Sequence, residues 1–140
     1  MGKCYNTIEI NASIQDVWQT ISNFHDMSWA KGVITSLDKV GNKSALEIGA
    51  KRILNEAFHE TLVTLDHEKY TFSYTIDDGP GPVACNAVNN YIGKVTLSEK
   101  NGLCLVEWSS TFESANDDSV SDFCNPIYQA LLGALKDTLS

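Results

Sequence analysis

The chain has 140 residues and a formal net charge of −8; 43% of its residues are hydrophobic and 20% are charged. This length suits one domain with a real core, so we expect a single domain over residues 1–140. The acidic balance and the scattered Lys and Arg residues oppose binding to phosphate backbones and predict no nucleic-acid partner.

The N-terminal residues lack the apolar core of a signal peptide, and no run of about 18 apolar residues predicts a membrane span. We therefore expect a cytoplasmic protein without stable membrane anchoring. The four cysteines, Cys4, Cys85, Cys104 and Cys124, are far apart and form no CxxC pair. This spacing predicts free thiols and no metal site.

The first 40 residues predict a strand, two short helices and a second strand. Lys3 to Ile10 alternates polar and apolar residues, the period of a half-buried strand. Ser13 then supplies a helix cap before apolar residues at helical spacing, which predicts a helix over 13–22. Residues 24–30 predict one or two further helical turns, and residues 33–40 a strand.

The central part of the chain predicts a meander of strands at about 46–54, 56–66, 69–77, 88–98 and 103–113. Turn residues separate them, most clearly in the Gly- and Pro-rich segment 77–82. Strands joined by short turns are antiparallel neighbours, so we expect an antiparallel sheet.

The last segment, residues 117–139, carries apolar residues at three-four spacing behind an acidic start, which predicts a long amphipathic helix. Pro126 lies inside it. Because proline removes a backbone donor, we expect a kink or a restart there, with Asn125 as a possible cap.

Short motifs along almost the whole chain resemble the polyketide cyclase/dehydrase-like branch of the SRPBCC superfamily, in the same order. The first motif runs from Ile10 to Ile21 and resembles "I-x-A-x-x-x-x-V-W-x-x-I". The others are Gly49 to Arg52 ("G-x-x-R"), Glu60 to Asp66 ("E-x-L-x-x-x-D"), Tyr70 to Ile76 ("Y-x-x-S-Y-x-I"), Asn90-Tyr91, Val106 to Ser109, and Thr111-Phe112.

The resemblance implies the helix-grip fold of START domains and birch-pollen allergens. We therefore expect an α+β protein in which a curved antiparallel sheet of about six to seven strands surrounds a long C-terminal helix. Two short helices follow the first strand. The resemblance also implies a small hydrophobic ligand in an internal pocket, and no cofactor.

Two charged residues fall on the apolar faces of neighbouring strands. Strand alternation places Arg52 with Leu46, Ile48 and Leu54, and it places Glu60 with apolar neighbours on the next strand. One interpretation is a structural ion pair. In the other, Arg52 binds a carbonyl or carboxylate and Glu60 transfers a proton, so both are catalytic candidates. Within the superfamily, the resemblance to one enzyme implies a comparable Arg and Glu in a cavity.

The candidate ligand-binding residues come from the same faces and from the closing helix. They are Trp29, Tyr74, Tyr91, Trp108, Phe123, Ile127 and Leu131. Aromatic residues in strands also serve as plain core, and Trp29 is either an entrance or a core residue. The three histidines, His25, His59 and His67, predict structural or solvated side chains.

Two functions fit this pattern. The first is a pocket protein that catalyses acid-base cyclisation, dehydration or isomerisation without a cofactor. The second is a non-catalytic carrier or sensor whose loop Asp77 to Val88 closes over the ligand and presents a surface to a partner protein. The fold permits both.

Overall fold

The computed structural model describes residues 2–140. Its strands are β1 Gly2–Ile10, β2 Leu37–Val40, β3 Lys51–Leu54, β4 Phe58–Asp66, β5 Thr71–Asp78, β6 Val88–Lys100 and β7 Leu103–Ser114. Its helices are α1 Ile14–Ile21 and α2 Asp117–Leu139, and a short 3-10 helix spans Gly81–Val83. The seven strands form one antiparallel sheet in the order β1-β7-β6-β5-β4-β3-β2, with α2 against it. The predicted helix-grip architecture is confirmed.

Tight turns connect the neighbouring strands of the meander. Between β4 and β5, Asp66 Oδ1 accepts hydrogen bonds from the backbone N–H groups of Glu68 (3.0 Å) and Lys69 (3.1 Å). Between β6 and β7, Asn101 and Gly102 both have positive φ angles, 54° and 81°. Such a pair is typical of the two-residue hairpin turns whose twist matches that of the strands.

Between β1 and β2 the chain forms one helix, α1, so the second short helix predicted over residues 24–30 is wrong. Side chains in this segment bond to the backbone groups that a helix would use. Asn23 Oδ1 accepts from the N–H of His25 (3.0 Å), and Asp26 Oδ1 accepts from that of Ser28 (2.9 Å). These local bonds favour successive turns over a helix.

Two predicted strands are shorter than expected. The segment before β2 turns back on itself, with the N–H groups of Val33 and Ile34 both bonded to the carbonyl of Ala30. The segment before β3 is also a loop, in which Gly49 has a φ of 93°. Leu46 and Ile48 lie there and are 52% and 53% exposed, so their predicted place beside Arg52 is wrong.

Helix α2 begins at the cap residue Asn116, whose side chain accepts the N–H of Ser119 at 3.1 Å. It continues through Pro126 without ending, so the predicted restart there is wrong. The missing N–H and the ring of Pro126 disturb the backbone at one position but do not end the helix. Asn125 is not a cap, because its Oδ1 accepts a hydrogen bond from Asn6 Nδ2 of β1 at 2.8 Å.

The concave face of the sheet, α1 and the inner face of α2 form one hydrophobic core. Leu131 and Leu135 of α2 are buried as predicted, and Ile127 is partly buried. Trp18 of α1 is a core residue, also as predicted, and its Nε1 donates to His67 Nδ1 at 3.0 Å. Within residues 2–140, no helix is long and apolar enough to cross a membrane.

Candidate ligand-binding cavity

A cavity of about 110 Å³ lies between the sheet and α2. The sheet contributes Arg52, Leu54, Phe58, Glu60, Tyr74, Ile76 and Trp108, the helix contributes Cys124, Ile127, Tyr128 and Leu131, and the connecting segments contribute Met27, Val33, Ile34 and Asn55. Most of this lining is apolar. An apolar pocket with a few converging polar groups is the usual form of a small-molecule site.

Six of the nine predicted site residues line this cavity: Arg52, Glu60, Tyr74, Trp108, Ile127 and Leu131. Cross-strand register explains the meeting of the charged pair, because Arg52 of β3 lies directly opposite Glu60 of β4. Glu60 in turn pairs with Ile76 of β5. Directly opposed residues point to the same face of a sheet, so both charges face the interior.

Three of the predicted ligand-binding residues do not line it. Tyr91 is buried behind the lining, where its ring stacks on Phe112 with centroids 5.5 Å apart. Phe123 stacks on the outer side of the lining residue Phe58 at 6.3 Å. Trp29 is buried at the C-terminal end of α2, where its carbonyl accepts a hydrogen bond from Thr138 Oγ1 at 3.1 Å.

Arg52 and Glu60 form a buried ion pair with exposed fractions of 4% and 6%. Both Nε and Nη2 of Arg52 donate to the same oxygen, Oε1 of Glu60, at 2.9 and 2.6 Å. Nη1 donates to the carbonyl of Phe24 at 3.1 Å, and the guanidinium carbon lies 3.9 Å from the centre of the Phe24 ring. The arginine is thus held by charge, hydrogen bonds and a cation–π contact.

The second carboxylate oxygen of Glu60, Oε2, accepts no hydrogen bond from any residue between 2 and 140. Burial raises the pKa of Glu60 above its ordinary value, although the Arg52 charge and hydrogen bonds oppose this, and the charge of Asp77 raises it further. A carboxyl group with a raised pKa and one unpaired oxygen, beside an apolar cavity, is suited to accept or donate a proton.

The phenol groups on this side of the core have hydrogen-bond partners of their own. Trp108 Nε1 donates to the Tyr74 hydroxyl at 2.9 Å, and the hydroxyls of Tyr91 and Tyr128 share a short hydrogen bond. Burial raises the pKa of Tyr74, Tyr91 and Tyr128, so these phenols stay neutral. Gly93 makes room for this layer, since a Cβ there would lie 2.3 Å from the Tyr74 ring.

Cys124 also lines the cavity, and its thiol is neutral. A hydrogen bond with Cys4 and burial both raise the pKa of Cys124. A protonated thiol is a poor nucleophile and a poor metal ligand. Within residues 2–140, no group of three His, Cys, Asp or Glu side chains could hold a metal ion.

The segment 27–36 covers one end of the cavity and is fastened by Asn55. Asn55 Oδ1 accepts from the N–H of Thr35 at 2.7 Å, and its Nδ2 donates to the carbonyl of Val33 at 2.9 Å. Met27 and Ile34 line both the cavity and an outer depression of about 230 Å³, so these two side chains separate the cavity from that depression.

Sequence reasoning missed Tyr128 and the covering segment. Tyr128 lies four residues after Cys124 and three before Leu131, so helical spacing alone could have placed it on the cavity side. The patterns of residues 24–30 and 33–40 predicted a helix and a strand, whereas Met27 and Ile34 lie in turns, and Asn55 lies in the turn after β3 without any such signal.

The chain is similar to known proteins in sequence and in structure. The family model described as "Polyketide cyclase / dehydrase and lipid transport" matches residues 1–140. A solved protein from Nitrosospira multiformis is 36% identical, with a TM-score of 0.95 over 99% of this chain and 96% of that one. No curated protein matches the sequence.

More distant structures share the fold alone. The protein XoxI from Bacillus cereus is 23% identical, with a TM-score of 0.82 over 99% of this chain and 96% of that one. The major latex-like protein 151 from Panax ginseng is 15% identical, with a TM-score of 0.79 over 99% of this chain and 97% of that one. The fold and the full-length family match show that the chain belongs to the polyketide cyclase/dehydrase and lipid transport family.

Proposed function

We propose that this protein binds a small, largely apolar molecule in the cavity between the sheet and α2, and that Glu60 exchanges a proton with it. The observation that carries this proposal is that Glu60 lines a mostly apolar cavity and that its Oε2 receives no hydrogen bond from the described residues. The family description, which includes cyclases, dehydrases and lipid transport, supports a hydrophobic ligand. The proposal includes a cytoplasmic location and no nucleic-acid partner, in keeping with the net charge of −8.

The chemistry that fits this pair is proton transfer next to a carbonyl group. Each terminal nitrogen of Arg52 carries two N–H donors, and the hydrogen bonds described above use one on each. The remaining donors can stabilise the oxygen of an enolate while Glu60 removes the proton from the adjacent carbon. Return of that proton to another carbon completes an isomerisation, with no electrons gained or lost. No cofactor is needed.

The alternative is a carrier or sensor, in which the loop Asp77 to Val88 closes over the ligand. Within the part of the chain that the structure describes, this loop contributes nothing to the cavity lining. It is tied down by Asp78, whose Oδ1 accepts the N–H groups of Gly79 and Cys85, both at 2.9 Å. The segment 27–36 covers the cavity instead, so the geometry favours ligand exchange there.

Filling the cavity is expected to abolish ligand binding. Leu131 and Leu132 are adjacent and both buried, but only Leu131 lines the cavity. A bound apolar ligand should raise the Tm of the native protein by roughly 5 to 10 °C at about a hundredfold excess over Kd. In Leu131→Phe the new ring occupies the ligand's space, so we expect no such shift in a thermal-denaturation screen of apolar small molecules.

Leu132→Phe is the matched control. It overpacks the core and should lower the free energy of unfolding by about 1 to 3 kcal/mol, yet leave the ligand-induced shift intact. Equal loss of the shift in both variants would show that binding does not depend on the cavity. No shift in the native protein with any compound would contradict the proposed function itself.

A further inference from the structure

The volume of the cavity limits the size of its ligand. An engineered apolar cavity of about 150 Å³ is known to bind benzene, and this cavity measures about 110 Å³. Its walls include the ring systems of Tyr74, Trp108 and Tyr128, which are fixed by hydrogen bonds and by stacking of Trp108 on Tyr128 at 5.4 Å. A wall of interlocked rings cannot yield easily to a long acyl chain.

The charge balance of the cavity limits the charge of its ligand. The cationic Arg52 and the anionic Glu60 compensate each other, and both are almost fully buried. A ligand carboxylate would add an uncompensated negative charge beside Glu60. The negative charge of Asp77, which already raises the pKa of Glu60, would add to the repulsion. Such an anion could enter only if a proton were taken up, which weakens its binding at neutral pH.

The lining offers free hydrogen-bonding groups at one place only, so the ligand can carry a polar group at one end only. The Tyr74 hydroxyl accepts from Trp108 Nε1 and also bonds to the Tyr128 hydroxyl, which in turn bonds to that of Tyr91. Asn55 uses both ends of its side chain to hold the covering segment. The groups that remain are Oε2 of Glu60 and the spare N–H donors of Arg52, which belong to one ion pair. A second polar group elsewhere on the ligand would lose its hydrogen bonds with water.

We infer that the cavity selects a compact, neutral molecule with a single carbonyl or hydroxyl oxygen, and that this oxygen binds at the Arg52–Glu60 pair. The inference rests on the proposed function and specifies its ligand class. Long-chain lipids and carboxylates are excluded from the cavity as it stands.

The test is a binding series measured by NMR titration of the native protein at neutral pH. Cyclopentanone and cyclopentanol are compact and carry one oxygen, cyclopentane lacks it, cyclobutanecarboxylate adds a charge, and dodecanoate adds length and charge. We expect the ketone or the alcohol to bind about tenfold more tightly than cyclopentane, the effect of one buried hydrogen bond. Cyclobutanecarboxylate should bind at least about a hundredfold more weakly than the ketone, and dodecanoate should not enter.

The double variant Arg52→Met, Glu60→Leu checks where the oxygen binds. Replacing a buried ion pair with apolar residues is often neutral or stabilising, so this variant should fold. It should lose the tenfold preference for the oxygenated compounds over cyclopentane. Lys51→Met, which removes an exposed cation from the same strand, should keep that preference.

Each failure has a distinct meaning. If dodecanoate or cyclobutanecarboxylate binds at the cavity as tightly as cyclopentanone, the selection for compact neutral ligands is wrong, while the proposed function stands. If the double variant keeps the preference for the ketone, the oxygen does not bind at the Arg52–Glu60 pair; this inference and the proposed proton transfer are then both wrong, although binding of an apolar ligand in the cavity stands. If no compound of the series or of the wider apolar screen binds, both the proposed function and this inference are wrong.

Discussion

Replacing Arg52 with Met is expected to lower the free energy of unfolding by about 3 to 5 kcal/mol at neutral pH. The arginine is 4% exposed and supplies both hydrogen bonds to Oε1 of Glu60, so its loss leaves a buried carboxylate without its partner. The substitution also removes the cation–π contact with Phe24. Urea denaturation followed by circular dichroism measures the change.

The loss of unfolding free energy in Arg52→Met should be larger at neutral pH than at low pH. The folded protein holds the proton of Glu60 at pH values where the unfolded chain, with a pKa near 4.5, has released it. Stability therefore falls as the pH rises from that value through the raised pKa of the folded state. Without the Arg52 charge the pKa of Glu60 rises further, so the variant should lose more stability at neutral pH than at pH 4.

Lys51→Met is the control for this experiment, because Lys51 is an exposed cation on the same strand. Its unfolding free energy should change by no more than about 0.5 kcal/mol. The double variant Arg52→Met, Glu60→Leu should recover most of the stability. A loss that is the same at pH 4 and pH 7, and is not recovered in the double variant, would show that the charge of Glu60 is not its cause.

Replacing Glu60 with Gln is expected to lower the rate of proton exchange between a bound ketone and water by about two to four orders of magnitude, while the ketone still binds. Glutamine keeps the shape of the side chain and its Oε1 can still accept from Arg52, but it cannot take up a proton. The measurement is deuterium incorporation from D2O at the carbon next to the carbonyl of a bound ketone, followed by mass spectrometry, with cyclopentanone as the first probe.

Glu107→Gln is the matched control, since Glu107 lies on β7 and accepts a hydrogen bond from the exposed Tyr5 hydroxyl. It should exchange at the native rate. A carrier would bind the ketone without accelerating exchange in any variant. If the native protein does accelerate exchange and Glu60→Gln does so equally, the assignment of Glu60 as the acid-base group is wrong.

Strand periodicity accounts for what the sequence could predict of the site. The two-residue alternation of β3 and β4 placed Arg52 and Glu60 on one interior face, and the two strands need only a short turn to bring them together. The same alternation placed Tyr74 and Trp108 correctly. These residues belong to regular elements, in which the direction of a side chain follows from its number.

Most of the wrong predictions concern residues in loops and turns, where no helix or strand period determines the direction of a side chain. In the sequence, Leu46 and Ile48 share the alternation of β3. In the structure, Gly49 has a positive φ, and β3 does not extend back to these two residues. Trp29 lies among turns stabilised by side-chain bonds to the backbone, so its position depends on tertiary contacts. Tyr91 illustrates a different limit. It faces inward as predicted, but a second ring layer separates it from the cavity.

The most direct test of the central claim is to locate a bound ligand by intermolecular nuclear Overhauser effects. A saturating apolar ligand from the thermal screen is added to methyl-labelled protein. We predict contacts with the methyl groups of Ile76, Ile127 and Leu131, which line the cavity. Contacts confined to the exposed apolar residues Leu46, Ile48 and Ile92 would contradict an internal binding site and, with it, the proposed function.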